Sequence, residues 1–251
     1  MRSVHCFCAL GVVAAGLLYS ASASAQLVDV SGGVKGFAGG NVWSTPSAVP
    51  FGYEGNGFSG NGGGFGWGAG LYTEARFIKF LGLELGLTYD SSTLLRNVTI
   101  NAQGVRYETQ EKVTQNALRI PILAKGILPI PFGRLSAFLG PEFIVPSSAS
   151  GSLEVKSTTP PVPKPDLSGN IKVEKTGSTM LTMGLGLTID LPASFELPIE
   201  LRASKNLSQP DAWADRVSWA AETQNTRTAP YTVKAQNSWD FRLGLGLGYK
   251  F

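Results

Sequence analysis

Residues 237–251, NSWDFRLGLGLGYKF, keep a strict two-residue rhythm. Trp239, Phe241, Leu243, Leu245, Leu247, Tyr249 and Phe251 are apolar or aromatic, while Ser238, Asp240, Arg242, Gly244, Gly246, Gly248 and Lys250 are small, polar or charged. Side chains along a strand point alternately to opposite faces, so this stretch is a β-strand with one apolar and one polar face. Its length decides more than its pattern. Strands in soluble domains run about 5–6 residues, whereas a strand that crosses a bilayer needs about 9–11. Trp239 and Tyr249 share the apolar face ten positions apart. At about 3.3 Å per residue that is ~33 Å of strand, and a tilt of about 40° leaves ~25 Å along the membrane normal, the height of an apolar band between two aromatic girdles.

The rhythm recurs. It is clear in 64–77, 81–90, 178–191 and 195–204, and looser in 27–39, 114–126 and 134–145, so that eight strands are expected in all. The connections sort by length. Those at 78–80, 127–133 and 192–194 are short, and those at 40–63, 91–113, 146–177 and 205–236 are long. Short and long alternate strictly, as periplasmic turns and outer loops do in membrane barrels. The expected fold is all-β: an eight-stranded antiparallel up-and-down transmembrane β-barrel. Phe65, Trp67 and Tyr89 would join Trp239 at one aromatic girdle, and Phe77, Phe195 and Phe251 would join Tyr249 at the other.

Residues 1–25 read as a cleaved secretory leader, with 26–251 as the barrel domain. Arg2 supplies the positive start, an apolar run follows from Cys8 to Leu18, and Ala23 and Ala25 stand at −3 and −1 of an A-x-A site. Cys6, Cys8 and His5, the chain's whole stock of cysteine and histidine, would leave with it. Removing Arg2 takes the formal charge from +3 to +2, which points to no nucleic-acid partner.

The polar strand faces would line the interior. They carry Glu74, Glu84, Glu142, Glu196, Glu200 and Asp240 against Arg76, Arg119, Lys125, Arg134, Arg202 and Arg242. Eight strands enclose just enough room for side chains, and buried charges must pair, so a structural salt-bridge network is the favoured reading. A narrow ion path is the alternative. The pairs Glu196/Glu200 and Asp211/Asp215 make no defensible catalytic or metal site, since both spacings arise freely by chance. Without histidine or cysteine, triad, Cys-His and His-zinc schemes fall together. No enzyme activity, cofactor or metal is expected.

The loops are less specific. GNGFSG at 55–60 matches G-x-G-x-x-G but lacks the strand–turn–helix setting that a dinucleotide site requires. Residues 98–110 alternate around Ala102-Gln103-Gly104, which suggests a hairpin that carries the wall into solvent. SLEVKS and NIKVEK flank a proline-rich stretch in the third loop. The fourth holds Trp213, Trp219 and Tyr231 with Asp211, Asp215 and Arg216, which fit a binding surface or a cover over the barrel mouth equally well.

The leader, the eight strands, LRIPILAKG at 118–126 and the terminal LGLGLGYKF together resemble the small outer-membrane β-barrel family of diderm bacteria. The chain is similar to the membrane domain of outer-membrane protein A, to OmpX and to the PorT-like barrels. The resemblance implies residence in the outer-membrane bilayer. It also implies that Leu245, Leu247, Tyr249 and Phe251 form a C-terminal assembly signal for the barrel-insertion machinery. It leaves activity open, because the family holds tethers, adhesins, narrow pores and a few enzymes. The expectation is an integral barrel with a filled polar lumen and a structural or surface-binding role through its four long loops, its surface ligand unknown. A small porin and a soluble periplasmic lipid-binding barrel are the alternatives.

Overall fold

The computed structural model describes residues 28–43, 62–77, 79–102, 105–161, 170–175, 177–208, 232–234 and 238–251. The leader with Ala23 and Ala25, the 55–60 motif, and Trp213, Trp219 and Tyr231 with their neighbouring charges lie outside the described residues.

The strands are β1 (Val28–Trp43), β2 (Gly62–Phe77), β3 (Leu81–Ala102), β4 (Val105–Ile130), β5 (Gly133–Thr159), β6 (Asn170–Glu174), β7 (Ser178–Asp190), β8 (Phe195–Asn206), β9 (Thr232–Lys234) and β10 (Trp239–Lys250). Eight of them close a barrel in the order β1-β2-β3-β4-β5-β7-β8-β10, each antiparallel to the next, with β10 returning to β1. Closure leaves no bare edge where water is absent. The fold is the transmembrane up-and-down barrel that the rhythm predicts. β6 and β9 are short additions beyond one rim, pairing β5 with β6 and β6 with β9.

The stagger follows from the register. From Val30 the pairing runs through Ala75, Leu83, Ala124, Leu139, Met183, Ala203 and Phe241 to Gly40, ten positions further along β1. Ten residues of stagger over eight strands, at about 3.3 Å per residue and about 4.8 Å between strands, tilt the strands by about 41° and set a backbone radius of about 8 Å. Such a bore holds side chains and little else.

Several strands outrun the sequence boundaries. The short connection expected at 127–133 shrinks to Pro131 and Phe132, because Ile127 to Ile130 pair with Gly133 to Ser136 despite Pro129. The long connection expected at 91–113 is mostly ladder: β3 and β4 stay paired from Leu81–Gly126 up to Ala102–Val105. β5 runs beside β4 as far as Thr159, with register shifts at Glu108/Thr109 and Asn116/Ala117. The wall made by β3, β4 and β5 therefore rises well above its neighbours on that side. Inward Pro121 and Pro198 interrupt the ladders beside them, as residues without an N–H must.

Outside, the barrel is apolar. Val34, Leu71, Leu85, Leu139, Leu185, Leu201, Leu243, Leu245 and Leu247 are all exposed on the outer face. Following the register at about 2.5 Å of height per residue separates two rings of aromatics by about 25 Å. Phe65, Trp67, Tyr89, Phe143, Trp239 and Phe241 make the ring on the long-loop side, and Phe77, Phe80, Phe132, Phe195, Tyr249 and Phe251 make the other. Trp239 stacks on Phe241 at 5.9 Å, and Tyr249 meets Phe195 and Phe251 edge-on at 5.6 and 5.4 Å.

Candidate functional site: the barrel interior

Alternation turns every second residue inward, and the tilt stacks those residues in tiers. Nearest the short turns, Arg76 and Arg134 both reach Glu196, at 3.1 and 2.9 Å, and Arg134 also binds Asp190 at the rim, at 2.8 Å. In the middle tier the Lys35 ammonium lies 2.6 Å from Glu84 and 2.6 Å from Glu200. Lys125 contacts Glu74 at 2.7 Å, Glu84 at 2.5 Å and Glu200 at 3.3 Å, and Arg202 contacts Glu84 at 2.9 Å and Glu200 at 2.6 Å. Towards the long loops, Arg119 meets Asp90 at 3.4 Å, Glu142 at 3.5 Å, and Asp240. Arg242 meets Asp90 at 2.9 Å and Asp240 at 2.6 Å. The Thr182 and Ser204 hydroxyls donate to Glu142 at 2.6 and 3.3 Å.

All twelve interior charges expected from the sequence thus meet one another, and the structure adds Lys35 and Asp90. Among the described residues the network's interior then holds Lys35, Arg76, Arg119, Lys125, Arg134, Arg202 and Arg242 against Glu74, Glu84, Asp90, Glu142, Glu196, Glu200 and Asp240, seven of each sign, with the exposed Asp190 added at the rim through Arg134. Glu196 and Glu200 do not form a carboxylate pair. They sit in different tiers, each neutralised by its own cations.

Three inward rings separate and cushion the cations. Arg202 lies over Phe37 at 4.4 Å and Phe138 at 5.6 Å, Lys35 over Tyr72 at 4.0 Å, and Lys125 over Phe138 at 5.7 Å. Distances under about 6 Å to a ring centroid place a cation within reach of its negative face. Each ring lies against a glycine of another strand: Phe37 against Gly244, Tyr72 against Gly248, Phe138 against Gly184. A Cβ on Gly244 would stand 2.5 Å from a Phe37 ring carbon. Gly244 and Gly248 of the terminal LGLGLG are therefore the space into which Phe37 and Tyr72 fit, while Gly246 faces Lys35 and Pro198. The alternation places these glycines on the inward face but does not say which neighbours they admit.

Little volume remains. The cavity between the middle and upper tiers, bordered by Phe37, Asp90, Arg119, Glu142, Arg202 and Arg242, measures ≈ 20 Å³, and the one around Lys35, Tyr72 and Glu84 measures ≈ 0 Å³. One water needs about 10–15 Å³ by this measure. Beyond the upper tier Ala117, Ile144 and Met180 form a buried apolar cluster, and Leu94 and Val113 above it are fully buried.

No protein-family model and no curated protein matches the sequence. Among solved structures the chain is similar to Ail, the attachment invasion locus protein of Yersinia pestis, in complex with the heparin analogue sucrose octasulfate. The two share 13% identity over 89% of this chain and 99% of that one, with a TM-score of 0.36. The translocator domain of the autotransporter NalP from Neisseria meningitidis aligns at 13% identity over 96% of this chain and 95% of that one, with a TM-score of 0.33. Ail in a phospholipid bilayer nanodisc aligns at 14% identity over 87% and 99%, with a TM-score of 0.23.

Proposed function

We propose that the chain is an integral outer-membrane barrel that acts at the cell surface through its long connections, and that its lumen is a structural core closed to ions. The balanced lumen charges, with a cavity of ≈ 20 Å³ between tiers, are the observation that carries this reading. An ion in transit would have to break several buried pairs, and separating one buried partner costs about 3–5 kcal/mol. The apolar band between two aromatic rings supports bilayer residence, and the alternation of short turns with long connections supports the outer membrane. A soluble lipid carrier would need the reverse arrangement, an apolar cavity inside a polar surface.

The raised wall of β3, β4 and β5 supports a surface role. Past the aromatic ring its outer face turns polar, with Thr93 against Thr114 at 3.3 Å and Asn116 donating to Ser148 at 2.9 Å. Planar-bilayer recording of the purified barrel tests the reading. The expected result is a heat-modifiable, membrane-inserted protein with no steady conductance. Stable single-channel steps that change selectivity in an Arg242→Gln variant would replace it with the narrow-pore reading.

A further inference from the structure

The outer face is not uniformly bulky. Around Ala203 of β8 it sinks into an open groove of ≈ 440 Å³ bordered by Ala38, Met183, Leu185, Leu201, Phe241 and Leu243. The register explains the depression. Ala203 lies between Met183 of β7 and Phe241 of β10, so a single methyl group forms the floor between two long side chains. The groove occupies the half of the apolar band nearer the long connections.

One outward step along β8 from Ala203, at the level of the aromatic ring, stands Lys205. It pairs in register with Leu181 and Trp239, and its ammonium lies 5.7 Å from the centroid of the Trp239 ring. Trp239 is itself stacked on Phe241, so the wall of the groove and the platform under the cation are one rigid unit. Lys205 is exposed, and among the described residues no carboxylate pairs with it. That sets it apart from the lumen cations, each of which has at least one carboxylate partner. Nothing among the described residues accounts for a fixed positive charge where headgroups lie, directly above an apolar trough.

We infer that this is a binding site for one anionic phospholipid, with an acyl chain in the Ala203 trough and the headgroup phosphate on Lys205. Charge complementarity selects the occupant. An apolar trough alone takes any chain, whereas a fixed cation at headgroup depth favours a net negative lipid by about fivefold. The inference rests on the bilayer reading of the belt.

Native mass spectrometry of the full barrel, released from membranes containing equal phosphatidylglycerol and phosphatidylcholine, tests it. The expected result is one retained phosphatidylglycerol in preference to phosphatidylcholine. Lys205→Gln should lose about fivefold of that preference. Ala203→Phe, which fills the trough, should lose retention of both lipids. Added inorganic phosphate should not displace the lipid, since it offers no chain. Equal retention of the two lipids, or an unchanged preference in Lys205→Gln, would overturn the site. Heat-modifiability in vesicles, checked for the wild type and each variant, separates the outcomes: a wild-type barrel that inserts but shows no selectivity removes the lipid site alone, and a wild-type barrel that fails to insert removes the bilayer reading as well.

Discussion

At the scale of single residues, Lys35 joins four strands. It lies 2.6 Å from two carboxylates on different strands and 4.0 Å from the Tyr72 ring, so it ties β1 to β3, β8 and β2. Lys35→Ala leaves Glu84 and Glu200 short of a cation in a dry interior, and we expect about 3–5 kcal/mol of destabilisation. Urea unfolding of the micelle-reconstituted barrel measures it, and a loss below 1 kcal/mol would show that Lys125 and Arg202 compensate. A cycle pairing Lys35→Met with Glu200→Gln should give a coupling of about 0.5–3 kcal/mol, since the two share a network. Gly244 makes the complementary point about space. A leucine there must displace the Phe37 ring on which Arg202 lies, and we expect that variant to accumulate without the heat-modifiable shift. Lys35 was hard to read from sequence for a physical reason. β1 turns apolar Phe37 inward beside Ser31, Lys35 and Asn41 and leaves Gly36 and Gly40 outward, so its two faces do not separate by polarity as those of β10 do.

At the scale of elements, the alternating pattern revealed where strands cross the bilayer and hid where they continue beyond it. The expected limits, such as 81–90 and 134–145, mark where the outer face stops being apolar, whereas the hydrogen-bonded ladder runs on to Ala102 and Thr159. Backbone pairing needs no lipid, so a strand that leaves the membrane loses its sequence signature and keeps its structure. The hairpin around 98–110 was legible because it alternates again, and it caps the β3–β4 ladder as expected. The pairing of 232–234 with β6 was not, since three residues carry no period. The extension and the barrel should be separable. Replacing residues 97–110 by a two-residue Asn-Gly turn removes ladder beyond the pair Arg96–Glu111 and touches none of the lumen tiers. We expect the shortened barrel to insert normally and to unfold within about 1 kcal/mol of the parent, as surface changes away from packed features do. Failure to insert would mean that the raised wall helps to build the barrel and is more than a surface device.

At the scale of the whole molecule, one number links the pattern to the membrane. A stagger of ten residues sets the tilt and the radius together, and both consequences can be checked against the side chains. The radius leaves room for a core of paired charges and three rings but for no passage, and the cavity of ≈ 20 Å³ agrees. The tilt converts the ten-residue spacing of Trp239 and Tyr249, legible in the sequence, into an apolar band about 25 Å high. If that band lies in hydrocarbon, the cost of an outward arginine must depend on height and not on strand. Leu185 of β7 and Leu245 of β10 fall near mid-height, while Leu81 of β3 and Leu135 of β5 lie at the ring nearer the short turns. All four are exposed, so no protein contact distinguishes them. We expect Leu185→Arg and Leu245→Arg to cost about 2–4 kcal/mol in vesicle refolding, and Leu81→Arg and Leu135→Arg about 0–1 kcal/mol. In water the four substitutions would be equivalent, because each adds a charge to an already exposed position. A flat profile across them would therefore remove the bilayer from the account of this fold, whereas a profile peaked at mid-height would locate the membrane on the barrel without reference to any relative.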